Sequence, residues 1–504
     1  MTAGGSTGIT TTNWTAICYS SPSAGMGRCL YRHRSHYGQT ECESFSVHKT
    51  NPPRRSISLL TIATAGFVAC LWLFGGASRG NVSGQIMIRG IAWAYLLFMV
   101  LLANRERPLR GKPVLYLLIG AAAIVLVQLV PLPPVIWAQL PGRALFTAAN
   151  DVTQGAPWRP LAIVPSAAVN AACSLIVPLV MYLLVASTSE AGDWRLIDML
   201  LIAIVANVVV GLVQLAGIRL ANPFVNAGGA GAGMFANRNH FALLLALGCL
   251  IAPVWAFGYR SRFSWRAACV CGLIPLILLT ILASGSRAGL ALGIAGAVGG
   301  ILLVWNNLSL ALVKYPRWVM PAVVGLCVLG IGVAGALSFQ QDRASSINRV
   351  MAGDVEGDMR SRAFPTVKTM AATYFPVGEG FGGFDTIFRV HEPDALLKPT
   401  YFNRVHNDFV EIVLDGGAAG GLLLMVGLSW WLYCSARAWL SESPLLARLG
   451  SLMVLLIAAA SIIDYPARTP IIMALTVISG VWLSSALKRG SIPLPDTEEY
   501  LSRQ

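Results

Sequence analysis

The run Asn403-Arg404-Val405-His406-Asn407-Asp408-Phe409-Val410-Glu411 brings an imidazole, carboxylates, amides and a guanidinium together where a polar stretch re-enters an apolar one. A neutral imidazole accepts a proton from a hydroxyl nucleophile, and a neighbouring carboxylate orients the ring and stabilises its protonated form. The chemistry on offer is activation of an acceptor hydroxyl, with His406 as base and Asp408 as its neighbour in sequence. The same residues also read as a helix start, because Asn407 and Asp408 are good capping types and Glu411 follows about one turn later. Both readings stay open from this run alone.

Five further segments interrupt the apolar pattern. Asn237-Arg238-Asn239-His240 opens an apolar stretch, and Arg238 there either binds a phosphate through its planar fork or snorkels to lipid headgroups. Ser284-Gly285-Ser286-Arg287 separates two apolar segments, and an Arg in so short a turn is costly unless an anion or a carboxylate partners it. Arg360 and Arg362 precede an amphipathic segment that runs through Tyr374, and clustered with Arg238 and Arg287 they could hold a diphosphate. Asp464 and Arg468, in Asp464-Tyr465-Pro466-Ala467-Arg468, either pair with one another across a turn or supply a carboxylate and a cation to the same site. Gly378-Glu379-Gly380-Phe381-Gly382-Gly383 satisfies GxGxxG but lacks the strand and helix of a dinucleotide fold, so its glycines read as turns that let the loop fold over a substrate.

The elements that position these residues are apolar. At 504 residues, 55% hydrophobic, 12% charged and with a mean hydropathy of +0.64, the chain has too few charges to cover a soluble surface and reads as an all-α polytopic membrane protein. The net charge of +14 falls in short basic clusters between apolar runs, which argues for topology and against a nucleic-acid partner. Cysteines sit mostly inside apolar runs, with neither a disulfide framework nor zinc spacing. Residues 1–55 are polar, rich in Ser, Thr and Gly, and read as a disordered cytoplasmic extension without signal-peptide layout.

Apolar runs predict about twelve transmembrane helices. They lie near 57–76, 85–103, 113–131, 167–187, 196–217, 239–258, 267–285, 287–305, 318–338, 416–436, 446–463 and 469–487. The organisation expected is helices one to nine over 56–338, a large periplasmic loop at 339–415 holding the His406 motif, helices ten to twelve over 416–487, and a cytoplasmic tail at 488–504. Lys and Arg concentrate after even-numbered spans, which puts both termini inside. Arg238, Arg287, Arg360, Arg362, His406, Asp464 and Arg468 then share the outer face.

These segments, in order, resemble the bacterial O-antigen ligase and polymerase superfamily. The matching pieces are Gly211-Leu212-Val213-Gln214, Asn237-Arg238-Asn239-His240-Phe241, Ser286-Arg287-Ala288, Arg360 four before Phe364, and Pro376-Val377-Gly378-Glu379-Gly380. They continue with His406-Asn407-Asp408-Phe409, Asp415-Gly416, Gly420 and Asp464-Tyr465-Pro466, so the resemblance covers roughly residues 90–485. Phe364 stands where the family often has Trp, and Asp415 where Glu is common.

The resemblance implies a metal-independent inner-membrane glycosyltransferase without a cofactor, taking a glycan from an undecaprenyl-diphosphate carrier at the periplasmic face. The implied acceptor is a hydroxyl of lipid A core, of another glycan or of a protein. His406 and Asp408 are the expected catalytic pair, Arg238, Arg287 and Arg360 the diphosphate ligands, and Asn237, Asn239, Asn407, Asp464 and Arg468 the supporting residues. The competing class is a transporter or flippase for a lipid-linked or anionic solute, which should show related halves and polar residues near the membrane midplane. No internal repeat is visible, and the ionisable residues gather at one face.

Overall fold

A computed structural model describes residues 58–101, 109–147, 155–218, 220–225, 232–258, 264–313, 355–397 and 402–487, the single positions Pro316 and Gly325, and the backbone of Thr15–Tyr19 and Arg28–Arg32. Residues 1–56 form one unit and 57–504 another. In the first, Thr15–Tyr19 pairs antiparallel with Arg28–Arg32. The rest of the proposed extension, the ninth expected span at 318–338, the first part of the loop after it and the tail at 488–504 lie outside the described residues.

Among the described residues the second unit is mostly helical, with one strand pair that joins Pro131–Leu132 to Arg159–Pro160. Its principal helices are α1 Leu59–Phe74, α2 Ser83–Leu101, α3 Lys112–Gln128, α4 Pro165–Ser174, α5 Ile176–Ala186, α6 Glu190–Leu215, α7 Arg238–Phe257, α8 Trp265–Ala283 and α9 Arg287–Leu303. After these come α10 Trp305–Leu312, α11 Val355–Tyr374, α12 Phe384–His391, α13 Asp408–Leu440, α14 Leu445–Ile463 and α15 Pro470–Leu483.

Among the described residues 8 helices are long and apolar enough to cross a membrane, or up to 9 if α9 and α10, bent by 72° at their junction, form one span. The twelve expected include the undescribed ninth span and two runs whose helices are short. The runs at 57–76 and 113–131 form helices of only 16 and 17 residues. At 1.5 Å per residue these are shorter than the ~30 Å hydrocarbon core. The chain is a multi-pass membrane protein, and the tight hairpin expected at Ser284–Arg287 is present between α8 and α9.

Helix α7 lies at the centre, with 94% of its apolar window buried in the protein. Lipid tails are as apolar as Leu, so close van der Waals approach rather than burial from water selects its neighbours. Gly296 and Gly300 of α9 supply that approach: a Cβ on them would stand 2.5 Å from Ala246 O and 2.6 Å from Leu250 O of α7. The contact holds these helices tightly together, and both begin with an arginine, Arg238 and Arg287. Helix α13 starts eight residues before the tenth expected span, at Asp408, and breaks at Gly417, whose φ of 59° lets Pro376 O approach where a side chain would stand.

Candidate functional site

The starts of α7, α9 and α13 are each capped by a side chain from the polar motifs. Asn237 Oδ1 accepts from Asn239 N at 2.8 Å, Ser286 Oγ from Gly289 N at 3.1 Å, and Asn407 Oδ1 from Val410 N at 3.1 Å. Asn407 is therefore a cap, and it also donates to Ile462 O at 3.0 Å. Just before it, His406 has a φ of 58°, the left-handed region that costs a non-glycine residue on the order of 1 kcal/mol. In that conformation the imidazole meets the α14–α15 linker.

Asp464, in that linker, is the hub. Its Oδ1 lies 3.2 Å from His406 Nδ1 and accepts from Tyr465 N at 3.0 Å, while Oδ2 accepts from Asn239 Nδ2 at 2.7 Å and Asn237 Nδ2 at 3.1 Å. A carboxylate only accepts, so the proton of a neutral His406 sits on Nδ1 and leaves the Nε2 lone pair for another partner. Burial alone would raise the Asp464 carboxyl. The His406 hydrogen bond, the neighbouring His240 and His406 rings and the Asn239 amide outweigh it and hold the group well below the usual carboxylate range.

Tyr465 stands between two imidazoles, its ring 4.9 Å from His406 and 5.1 Å from His240, both edge-on. Burial and the Asp464 charge push its hydroxyl up to about 12, so it stays neutral. His240 Nδ1 lies 2.9 Å from Thr469 Oγ1 and its Nε2 3.9 Å from Asp464 Oδ1, which ties α7, α15 and the linker together.

The carboxylate that meets His406 is thus Asp464 and not Asp408. Asp408 Oδ2 accepts from Ser461 Oγ and Ala467 N, each at 3.0 Å, with Arg468 Nε 3.8 Å from Oδ1. Nor does Arg468 pair with Asp464: its Nη2 is 3.0 Å from Asp415 Oδ2 and 3.1 Å from Glu411 Oε1. Glu411 also accepts from Arg404 Nη1 at 2.9 Å and Val405 N at 3.1 Å. The reason is helical geometry. Positions 408, 411 and 415 share one face of α13 and direct their carboxylates to Arg468. His406 precedes the helix, and its backbone sends it elsewhere.

The expected cations divide. Arg238 and Arg287 are both exposed at their helix starts, and Arg238 Nη1 lies 3.6 Å from where a Cβ on Gly285 would stand, over the turn that precedes Arg287. Ser286 Oγ donates to Asn239 Oδ1 at 2.9 Å, which locks that turn to the Asp464 hub. Arg360, on α11, donates to Ile463 O at 3.3 Å and so joins the same end. Arg362 points away and donates to Ala395 O at 2.7 Å. Two exposed guanidiniums at adjacent helix N-termini, where N–H groups carry partial positive charge, concentrate positive charge at this end.

The glycine-rich run does not fold over this site. Gly380 N donates to Asp415 O at 3.0 Å and Gly382 N to Asp415 Oδ2 at 3.1 Å, so the run is packed on α13 instead. It buries Glu379 completely, with neither carboxylate oxygen hydrogen-bonded. Burial, then the charges of Asp415 and Glu411, raise the Glu379 carboxyl well above its ordinary range against the opposing pull of Arg143 and Arg468. Sequence reasoning singled out neither Glu379, Ser286, His240 nor Tyr465, although each stands in a motif it quoted. Among the described residues no group of three or more His, Cys, Asp or Glu is arranged to hold a metal ion.

The chain matches no curated protein. Residues 272–425, from within α8 through the Ser286–Arg287 turn and Arg360 to the His406 cluster and α13, match the family model described as O-antigen ligase, which bears out over that stretch the resemblance read from the motifs.

Proposed function

We propose that the protein transfers a glycan from an undecaprenyl-diphosphate carrier to an acceptor hydroxyl at the periplasmic face of the inner membrane, with both termini cytoplasmic. The observation that carries this reading is the His406–Asp464 pair at 3.2 Å beside the exposed Arg238 and Arg287. His406 Nε2 removes the acceptor proton, and Asp464 fixes the tautomer and stabilises the imidazolium. The carrier diphosphate leaves against Arg238 and Arg287, with Arg360 beside them, so developing charge is met by fixed cations and helix ends without a metal. A single displacement inverts the anomeric centre. Asp408 and Arg468 serve the supporting network rather than the proton transfer, and Asn237, Asn239 and Asn407 hold Asp464 and the start of α13 in place.

The family match favours the enzyme over the transporter reading. The test is the glycan of a strain lacking the protein. Full-length chains accumulating on the carrier indicate a ligase with lipid A core or protein acceptor, and single repeats indicate a polymerase. Unchanged carrier-linked and surface glycan refutes the proposal, as does a reporter fusion that places the His406 loop in the cytoplasm.

A further inference from the structure

A cavity of about 180 Å3 lies beside the Asp464 hub, lined by Asn237, His240 and Tyr465 on one side and by the α1–α2 turn, including Ala77, Ser78 and Arg79, on the other. That volume holds about six waters at ~30 Å3 each, enough for a phosphoryl group with part of its hydration. Its lining is polar, and its one charged side chain is the guanidinium of Arg79, which the chemistry described so far does not use.

The α1–α2 turn is not a loose surface loop. Ala236 N donates to Gly76 O at 3.1 Å and Ile471 N to Gly75 O at 3.3 Å, so the turn is hydrogen-bonded both to the residue before Asn237 and to the start of α15. Gly76 admits Met234 O where a Cβ would stand. From below, Asn170 Oδ1 accepts from Arg89 Nη1 at 2.6 Å, Arg89 Nη2 donates to Gln85 Oε1 at 3.0 Å, and Gln85 Nε2 donates to Ala77 O. This relay of buried and half-buried polar groups has one evident effect, which is to fix the backbone two residues before Arg79.

The side chain is also aimed. With the Asn403 amide oxygen turned toward it, Arg79 donates through Nη2 at 3.1 Å and Nε at 3.2 Å. Asn403 belongs to the same segment as His406, so Arg79 spans from the first helical hairpin to the catalytic segment. A neutral amide does not neutralise a guanidinium, and the residue remains exposed at the cavity, with Nη1 available for a further acceptor. An exposed, pre-oriented and uncompensated cation on a polar cavity is matched by an oxyanion.

Building on the proposed transfer reaction, we propose that Arg79 is a further anion ligand of this site, binding a phosphoryl oxyanion of a substrate in the cavity between the α1–α2 turn and Tyr465. The group belongs either to the diphosphate of the lipid-linked donor or to a phosphate on the acceptor.

The experiment titrates purified full-length protein in lipid nanodiscs with inorganic pyrophosphate and with undecaprenyl diphosphate, for the wild type, Arg79→Ala, Arg79→Lys, Arg238→Ala and, as a control on an exposed cation of α11, Lys368→Ala. We expect Arg79→Ala to weaken pyrophosphate at least tenfold, Arg79→Lys to weaken it less, and Lys368→Ala to leave it unchanged. A parallel loss for undecaprenyl diphosphate assigns the group to the donor. Unchanged affinity for the lipid, together with a raised KM for a phosphate-bearing acceptor only, assigns it to the acceptor. If Arg79→Ala proves unstable, Arg79→Lys together with Asn403→Ala, which frees the guanidinium from its aim, must still weaken binding. Wild-type affinity in the Arg79 and Asn403 variants, with Arg238→Ala impaired, overturns this inference and leaves the transfer reaction standing. A wild type that binds neither probe overturns both.

Discussion

Asp464→Asn is the sharpest probe of the site, because it keeps the shape of the side chain and reverses the hydrogen bond to His406, while the one from Tyr465 N to Oδ1 is lost. Asn237 and Asn239 both donate to Oδ2, so the new amide places its oxygen there and its NH2 where Oδ1 was. That NH2 faces His406 Nδ1, formerly 3.2 Å from an acceptor, and donates to it. The ring proton moves to Nε2, and the lone pair that should take the acceptor proton is lost. The attraction that steadies the imidazolium goes as well. Two unit charges 3.2 Å apart attract by about 5 kcal/mol at an effective dielectric of about 20. Solvent screens little of this, since the His406 and Asp464 side chains are 16% and 5% exposed. Positioned bases contribute about 10²- to 10⁴-fold, so kcat should fall by about a thousandfold. The assay is single-turnover transfer from a polyprenyl-diphosphate glycan to its acceptor, with Tm recorded in parallel. His406→Ala should cost about as much, and the double variant little more than either, because the two residues act as one unit. A variant keeping a tenth of the wild-type kcat, or a double variant whose loss is the product of the single losses, refutes the pairing.

The other predictions concern the cations, the buried acid and the helix contact. Arg287→Ala should lower kcat at least about a hundredfold with a smaller change in donor KM, because the cation meets charge that develops in the transition state; an effect on KM alone would make it a ground-state anchor. Glu379 binds its proton more tightly folded than unfolded, so its contribution to stability is greatest below the ordinary Glu range and falls, by at most about 1.4 kcal/mol per pH unit, as pH rises toward the raised folded value. Glu379→Gln should flatten Tm across that window, and a wild-type slope in the variant would count against the buried proton. Gly296→Val should force α7 and α9 apart, since even a Cβ there stands 2.5 Å from Ala246 O. Both Tm in detergent and transfer activity should drop, and an unchanged Tm would show that this contact does not set the spacing of Arg238 and Arg287.

Long apolar runs bounded by charge were legible as spans because the membrane imposes length and composition together. The runs that form α1 and α3 end sooner than their hydropathy suggests, at Gly75 and at the turn at Leu129, because hydropathy does not say where a helix stops. The site was legible as a set of residue types and not as a set of partners. Sequence proximity suggested Asp408 for His406. The choice of Asp464 depends on a left-handed backbone at His406 and on a linker 58 residues away, neither of which has a local signature. Asp464-Tyr465-Pro466 was visible as a motif, and its two possible uses could not be separated, because one Arg and one Asp in a short linker pair as easily with each other as with anything distant. The stretch that matches the family model holds Arg287, Arg360 and His406 but not Asn237, Arg238 or Asp464, and it is the hydrogen bonds of Asp464 with Asn237 and His406 that join the two sets.

The distribution of charge explains why two carboxylate systems stand so close with different uses. Behind the site, Asp408, Glu411 and Asp415 gather around Arg468, and Glu411 also pairs with Arg404, so each of these buried carboxylates has a cationic partner. Removing one partner there leaves another charge unpaired in a low-dielectric interior, so those residues answer to stability. In front, Asp464 is the one carboxylate hydrogen-bonded to His406, while Arg238 and Arg287 are exposed at the helix starts beside it. Among the described residues no carboxylate is ion-paired with either of these guanidiniums, an arrangement that suits an anionic ligand. On the proposed reading the ligand is the carrier diphosphate, and the imbalance becomes binding and leaving-group stabilisation, while the proton from the acceptor hydroxyl passes to an imidazole held at the opposite end of the same hydrogen-bonded hub. Separating the two systems lets the front be undercompensated without unfolding the back, and Ser461, Asp408 and the α14–α15 linker are where the two meet.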